Sequence, residues 1–417
     1  MNKQSLNIPA IAVMYLLFFM IAFVTNFAGS MGIILKNQYA VSNALTQLGS
    51  LANFLAYACM GIPAGMILRS KGYKFTAITA VLIGLLGVGV QWLSGTVGGF
   101  AMYVLGAFIA GLSMCLLNSV VNPMLNTLGG GGNLGNRLLQ FGGACNSIGG
   151  TLAPILLGYL IGGEIAKAQV MDAAPAMMVA MIIFLVAFFV LLFSRIPEPH
   201  IETPEQREAR LANRSANSPW RFRHFVLGAI AIFLYVGLEV GIPNMANLYM
   251  SNHPLVGPVI AGTIVGLYWI SMMVGRLLGG ALGGKVSSRA MLITTCALCM
   301  TLLITIMLLP ETAVIPLDNA QLPVSMVLMI LCGLCTSVMW GSIFNLSVEG
   351  LGNATPAASG IFMTFVCGGG IIPFLQGLTS DLFGGVGKAY LFSYVLLIVC
   401  LAYMLLYALV WSKNKNK

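Results

Sequence analysis

The sequence predicts an all-α membrane protein with twelve transmembrane helices in two pseudo-symmetric six-helix bundles. Three observations carry that reading. Apolar residues make up 59% of the 417 and charged residues only 7%, where a soluble domain carries about 25% charge. Apolar runs of about 20 residues, the length that crosses hydrocarbon as a helix, recur along the whole chain. One long polar stretch, 195–222, separates six such runs from six others.

The runs, called spans 1 to 12, lie near 8–36, 45–68, 74–94, 98–127, 137–163, 173–194, 223–250, 256–284, 289–309, 323–348, 357–384 and 389–412. Helices are required because an isolated strand leaves its backbone groups unsatisfied in lipid. A closed barrel would need alternating strands of about ten residues, and these runs are longer and uniformly apolar. The opening "MNKQSLNIPAIAVMYLLFFMIAF" extends well beyond the core of a cleavable signal.

Basic residues orient the spans. With the N-terminus inside, the cytoplasmic segments hold sixteen of the 20 Lys and Arg, including Lys3, Arg69, Lys71, Arg137 and Lys417. The outer segments hold Lys36, Lys167 and Lys388, and Arg276 remains inside span 8. This predicts a multi-pass inner-membrane protein with both termini cytoplasmic. The net charge of +9 therefore expresses topology. A nucleic-acid face would need basic residues clustered with stacking aromatics on a soluble surface.

The predicted organisation is an N-terminal bundle over 1–194, a cytoplasmic linker over 195–222, partly helical across "TPEQREARLANR", and a C-terminal bundle over 223–417. The halves echo each other. "GIPAGMILRSKGYKFTAI" (61–78) answers "GRLLGGALGGKVSSRAMLI" (275–293), and "NPMLNTLG" (122–129) answers "NLSVEGLG" (345–352). "GGTLAPILLGYLIGG" (149–163) answers "GGGIIPFLQGLTSDLFGG" (368–385). A doubled six-helix unit around a central loop is a layout of secondary transporters.

Enzyme motifs fail on context. "GGGNLG" (130–135) has no preceding strand, and "GGALGGKV" (279–286) has Val286 where a phosphate loop needs Ser or Thr. Cys296/Cys299 and Cys332/Cys335 have zinc-like spacing but sit in apolar runs with no polar support, so they read as small buried hydrophobes. His200, His224 and His253 lie at or beyond helix ends. No catalytic constellation, metal set or cofactor fingerprint is expected.

What remains is polar groups at depth, which usually face a bundle interior or a water-filled space. At about 1.5 Å per residue, Glu239 of "LYVGLEVGIPN" (234–244) lies near the middle of span 7. Asn26 of span 1 is its counterpart when the halves are aligned. Asn118 and Asn122 (span 4), Asn146 (span 5), Tyr268 and Trp269 (span 8), and Trp340 and Asn345 (span 10) recur on other spans. Tyr57, Tyr235, Asn244 and Gln376 complete the set. Any single amide can be interhelical glue. Amides and aromatic rings together suit a neutral, hydroxyl-rich solute, because amides donate and accept while rings pack on C–H faces. An anionic solute would want a mid-membrane cation. Arg276 lies too near the cytoplasmic end for that and, with Arg69 and Lys71, reads as gating.

These residues resemble the sugar transporters of the major facilitator superfamily, in the group that includes the L-fucose/proton symporter and the glucose/galactose transporter. The resemblance rests on "GIPAGMILRSKGYK" (61–74), "NSVVNPMLNTLG" (118–129), "CNSIGGTLAP" (145–154), "YVGLEVGI" (235–242), "IFNLSVEGLG" (343–352) and "GGGIIPFLQGLTSD" (368–381). It implies alternating access around a midplane sugar site in a protein expected to be a monomer, and coupling to H+ or Na+ is expected through Glu239 rather than through the relatives' acids. The family's acids in spans 1 and 4 fall near Gly29 and on Asn118 here, and its span 5 Gln falls on Gly143. Glu239 matches the acid of the glucose/galactose type. The expected site residues are therefore Asn26, Asn118, Asn122, Asn146, Glu239, Asn244, Tyr268, Trp269, Trp340 and Asn345.

A lone charged acid at mid-bilayer costs about 2.5–3.5 kcal/mol. No Lys or Arg is expected at its depth, and Gly241 and Pro243 predict a helix break just beyond it. Glu239 is then a sugar-hydroxyl acceptor, a coupling-ion site or a structural acid. The alternatives for the whole chain are a uniporter without ion coupling, an exporter of amphipathic molecules, and a sugar sensor, which would be expected to carry a signalling domain. Orientation is checked by single cysteines at Ser215 and Thr312 in a Cys-free background. Ser215 should label from the inside and Thr312 from the outside, and the reverse pattern excludes this topology.

Overall fold

The computed structural model describes residues 7–129, 132–161, 168–196, 198, 203, 205, 208, 218–253, 256–282, 286–317, 320–351 and 355–412. Among these, eleven helices are long and apolar enough to cross a membrane. They supply twelve crossings, because spans 2 and 3 share one continuous stretch, Leu48–Val97. That stretch turns back at Gly72, whose φ of 84° lies where a side chain would be strained.

Local chemistry sets the ends. Asn7 caps span 1 by accepting from Ala10 N at 3.2 Å, and Pro9 sits in the first turn. Span 1 runs as Ile8–Ser30, continues as Gly32–Tyr39, and stops where Ala40 turns left-handed at φ 50°. The predicted linker helix falls on residues that, apart from 203, 205 and 208, lie outside those described. Glu198, where the linker begins, accepts from Tyr73 N at 2.6 Å and Lys74 N at 2.8 Å. Lys74 Nζ in turn donates to the carbonyls of Leu192 and Ser194 at 2.8 and 2.9 Å. The start of span 3 is thereby tied to the end of span 6.

Helix breaks occur in places other than those the sequence predicts. Span 7 is unbroken from Arg223 to Ser251 despite Pro243. Span 10 divides into Val324–Thr336 and Met339–Val348, and span 11 into Thr355–Phe365 and Gly368–Leu382. A small antiparallel pair, β1 (Val314–Leu317) and β2 (Ala320–Pro323), precedes span 10.

The two halves meet along a seam between spans 5 and 8. On span 5 the stripe Gly143, Ser147, Gly150, Pro154, Gly158 repeats at helical spacing. It faces Arg276, Trp269, Gly262 and Pro258 of span 8. Small residues set the approach, as expected where lipid tails compete for every apolar contact. A Cβ on Gly158 would stand 2.5 Å from the Pro258 carbonyl oxygen. Thr151 Oγ1 donates across to Gly266 O at 3.3 Å.

At the end opposite the linker, the halves are fastened by polar groups. The Asp381 carboxylate of span 11 accepts from Asn43 N and Ala44 N, each at 3.1 Å, from the turn before span 2. Lys36 Nζ donates to Asn43 Oδ1 at 2.7 Å and bonds to the Tyr390 hydroxyl. Asn43 Nδ2 reaches Gly385 O at 2.9 Å. Asn244 Nδ2, below them, donates to Gln47 Oε1 at 3.1 Å. This end is closed.

Hydrogen bonds to a charged group are worth about 1.5–3 kcal/mol each. Asp381→Ala should therefore shift the closed-to-open balance of this end by at least about tenfold. A single cysteine at Ser30, buried behind the closure, should then label correspondingly faster with a hydrophilic maleimide. Unchanged labelling would show that the Asp381 contacts do not hold the end shut.

Candidate functional site

The centre of the molecule holds an ion pair that hydropathy and helix position argued against. Arg276 Nη2 lies 3.1 Å from Glu239 Oε1, with side-chain exposures of 19% and 13%. Counted from the turn joining spans 7 and 8, Glu239 sits about 18 Å along its helix and Arg276 about 28 Å. The two helices run in opposite directions, and side chains lean toward their own helix's N-terminus. Glu239 therefore leans toward the linker end and Arg276 leans away from it. The length of the arginine stem closes the remaining gap. Helix position gives the depth of a Cα, not that of a guanidinium.

The expected helix break is also absent, for a traceable reason. Pro243 has no N–H, so it frees the carbonyl four residues back, which is that of Glu239. Tyr268 OH donates to this oxygen at 3.1 Å and also bonds Thr336 Oγ1 at 3.2 Å. The span 8 hydroxyl replaces the missing helical donor, and the helix continues. Gly241 serves close packing: a Cβ there would run into the Gln376 side chain. The freed carbonyl is thus already satisfied and does not join the carboxylate in a cation cage.

Around the pair stand several of the expected residues. Tyr235, one turn before Glu239, lies against both charged groups. The Trp340 ring packs 6.2 Å from that of Tyr235 at 59°. Across the seam, Arg276 Nη1 donates to Gly143 O at 3.2 Å and to Ser147 Oγ at 3.4 Å. Asn26 and Trp269 meet at Gly150, where a Cβ would stand 3.2 Å from Asn26 Nδ2 and 3.0 Å from the indole. Trp269 is 4% exposed, and its Nε1 has no partner among the described residues. A buried orphan donor is costly unless a bound group or water accepts from it.

The four amides of the first half are held by the bundle itself. Asn26 Nδ2 donates to Ala22 O at 2.9 Å and Asn122 Nδ2 to Asn118 O at 2.9 Å. Asn146 Nδ2 crosses to Phe18 O at 3.1 Å. Asn118 Nδ2 donates to Tyr57 OH at 2.8 Å and Met114 O at 3.1 Å. All four remain half-buried, so their carbonyl oxygens stay available as acceptors. Oriented acceptors, one orphan indole donor and a carboxylate can bind a polyhydroxylated, uncharged molecule.

Two of the expected residues fall elsewhere, and a third, beside the pair, has its polar group already engaged. Asn244 belongs to the closed end, through Gln47. Asn345 is exposed toward the linker end, with Nδ2 3.5 Å from Ser288 Oγ. Tyr268 spends its hydroxyl on backbone repair. Arg69 is half-buried and Lys71 exposed, both in the last turn before Gly72. Ser147 and the Gly143 carbonyl were not among the residues expected from sequence, although Ser147 follows Asn146 and shares the small-residue stripe.

Tyr268→Phe removes only the hydroxyl and leaves the Glu239 carbonyl without a donor. It should lower stability by about 1–3 kcal/mol, seen as a lower unfolding midpoint of the purified protein. An unchanged midpoint would return Tyr268 to the set of ligand contacts.

Similarity to known proteins runs the length of the chain. The sequence is 29% identical to a glucose/galactose transporter of Brucella abortus biovar 1 (strain 9-941), across 97% of this chain and 94% of that protein. It is 23% identical to the L-fucose-proton symporter of Escherichia coli K12, across 98% and 94%. Among solved structures, the E. coli fucose:proton symporter superposes with a TM-score of 0.66 at 21% identity, covering 99% of this chain and 100% of that one. A D-xylose-proton symporter reaches 0.74 at 14% identity, covering the same shares. These two show the shared fold. The signature of the Major Facilitator Superfamily matches residues 11–374, and the chain belongs to that superfamily of membrane transporters.

Proposed function

We propose that the chain carries a neutral monosaccharide across the inner membrane by alternating access, with cation coupling through Glu239. The bundles at 1–194 and 223–417 rock about the seam, joined by 195–222. The sixteen-to-three distribution of basic residues supports a cytoplasmic linker end. The observation that carries the reading is the Glu239–Arg276 pair, set among half-buried amides, Trp340 and the orphan Trp269 donor. The names of the relatives, a glucose/galactose transporter and an L-fucose-proton symporter, support a sugar cargo. We assign Asn26, Asn118, Asn122, Asn146 and Trp269 to its hydroxyls, and Trp340 to its C–H face.

Between H+ and Na+, the surroundings favour H+. A metal ion needs several oxygens at once, but Arg276 already holds the carboxylate and Tyr268 the nearby carbonyl. A proton needs one carboxylate oxygen. A uniporter is the second reading, favoured by the same pair if its charge never changes.

Counterflow of labelled sugars in proteoliposomes, with and without pH and Na+ gradients, tests the cargo and the ion. Glu239→Gln keeps shape and one acceptor oxygen but removes the titrating group. Exchange should survive at reduced affinity, because it needs no net ion release, while gradient-driven accumulation should be lost. Wild-type accumulation in this variant would exclude the coupling role, and wild-type affinity would exclude sugar contact.

A further inference from the structure

We propose that Tyr57 fixes the amide of Asn118 as a pure hydrogen-bond acceptor, so that the sugar hydroxyl facing it must donate. This rests on the sugar reading above and adds the sense in which one hydroxyl is recognised. The geometry carries it. Asn118 Nδ2 donates to Tyr57 OH at 2.8 Å and to Met114 O at 3.1 Å. A side-chain amide has two N–H hydrogens, and both are thereby spent. Its Oδ1 has no partner among the described residues, and Asn118 is half-buried. The other amides assigned to the sugar in this bundle differ. Asn26, Asn122 and Asn146 each place Nδ2 on one backbone carbonyl. Each keeps one hydrogen and can donate or accept, whereas Asn118 can only accept.

Two contacts set this sense. Met114 O is itself an acceptor, so turning the amide over would set Oδ1 against it, oxygen on oxygen. Tyr57 supplies the second acceptor, and packing rather than cargo holds it in place. It is 2% exposed, and its ring stacks on Phe54 at 5.9 Å. Spans 2 and 4 touch backbone to backbone beside it, since a Cβ on Gly111 would stand 2.0 Å from Asn53 O. Asn53 Nδ2 reaches across to Ala107 O at 3.4 Å. Tyr57 is too buried to touch a sugar. It is a positioning residue, and Asn118 makes the contact.

The consequence is a chemical filter at one carbon of the sugar. A hydroxyl there donates to Oδ1. Hydrogen in its place leaves Oδ1 unpaired. Fluorine cannot donate either, and it sets a second partial negative charge against the oxygen. A site built to bond a hydroxyl rejects an analogue that cannot make the bond. An N–H facing the same carbon would give the opposite order, because fluorine can accept where hydrogen cannot.

The test is inhibition of labelled-sugar counterflow in proteoliposomes by deoxy and deoxyfluoro analogues of D-glucose and D-galactose. The analogues are substituted at each hydroxyl-bearing carbon in turn. Asn118→Ala should erase the dependence at one carbon, which identifies the hydroxyl facing Asn118. At that carbon in the wild type, the deoxy analogue should bind about tenfold more weakly than the parent sugar. The fluoro analogue should bind no better than the deoxy one. Tyr57→Phe removes only a hydroxyl from a packed ring and frees one Nδ2 hydrogen to turn toward the sugar. The order of the two analogues should then reverse at that carbon and stay unchanged at the others. A purely structural role for Tyr57 would weaken all analogues alike or reduce folded protein, leaving the order unmoved. An unmoved order in Tyr57→Phe therefore overturns the positioning role. A wild type that prefers the fluoro analogue at that carbon overturns the acceptor assignment, as does an Asn118→Ala variant that alters no carbon's dependence. Each of these leaves the transport reading intact. Absence of saturable exchange of D-glucose, D-galactose and L-fucose in the wild type overturns the transport reading instead.

Discussion

The structure depends on one constraint: a carboxylate at mid-membrane must have a counter-charge or lose its own. Taking one partner from a buried pair costs about 3–5 kcal/mol, because the other is left uncompensated. Arg276 meets that need for Glu239 at 3.1 Å. Much nearby chemistry serves to keep the two side chains in reach. Tyr268 repairs the backbone that Pro243 leaves open, so span 7 stays continuous through the site. Tyr235 and Trp340 flank the pair with ring surface.

The same constraint explains why the bundles are joined by polar bonds rather than by apolar area. In lipid, burying one leucine against another gains little over burying it against acyl chains. The seam between spans 5 and 8 is therefore built from small residues that let backbones touch. Its fastenings are hydrogen bonds, Thr151 to Gly266 and Arg276 to Gly143, and the Asp381 cluster separately ties span 11 to the turn before span 2. Each is worth only a few kcal/mol. Such an interface can part at one end and reseal at the other without a large barrier, which alternating access requires.

Membership of the Major Facilitator Superfamily gives the architecture, while the placement of charge is this chain's own. Asn118 is a neutral amide, and its hydrogens are spent on Tyr57 and Met114. The first bundle thus offers oriented neutral acceptors, and the charge chemistry lies in the second.

The twelve crossings were legible because hydropathy over about 20 residues is a one-dimensional quantity, and the lipid enforces it locally. The turn at Gly72 and the amides at mid-depth were legible for the same reason. Glu239 stood out because a lone acid in an apolar run has no local explanation. Its partner was hidden because helix position records where a backbone sits along the membrane normal. Where an arginine head ends up depends on helix direction, on the lean of side chains toward helix N-termini and on what packs opposite. Pro243 predicted a break from local rules, and only tertiary packing brought the Tyr268 hydroxyl to the carbonyl it freed. Asn244 and Asn345 had suitable chemistry at suitable depth, yet the seam and the closed end turned them to other duties. The sequence by itself determined which backbone segments form the apolar spans and how far along each span a residue's Cα sits. The tertiary structure decided which of them face each other, because pairing across helices depends on rotation and register that no single span encodes.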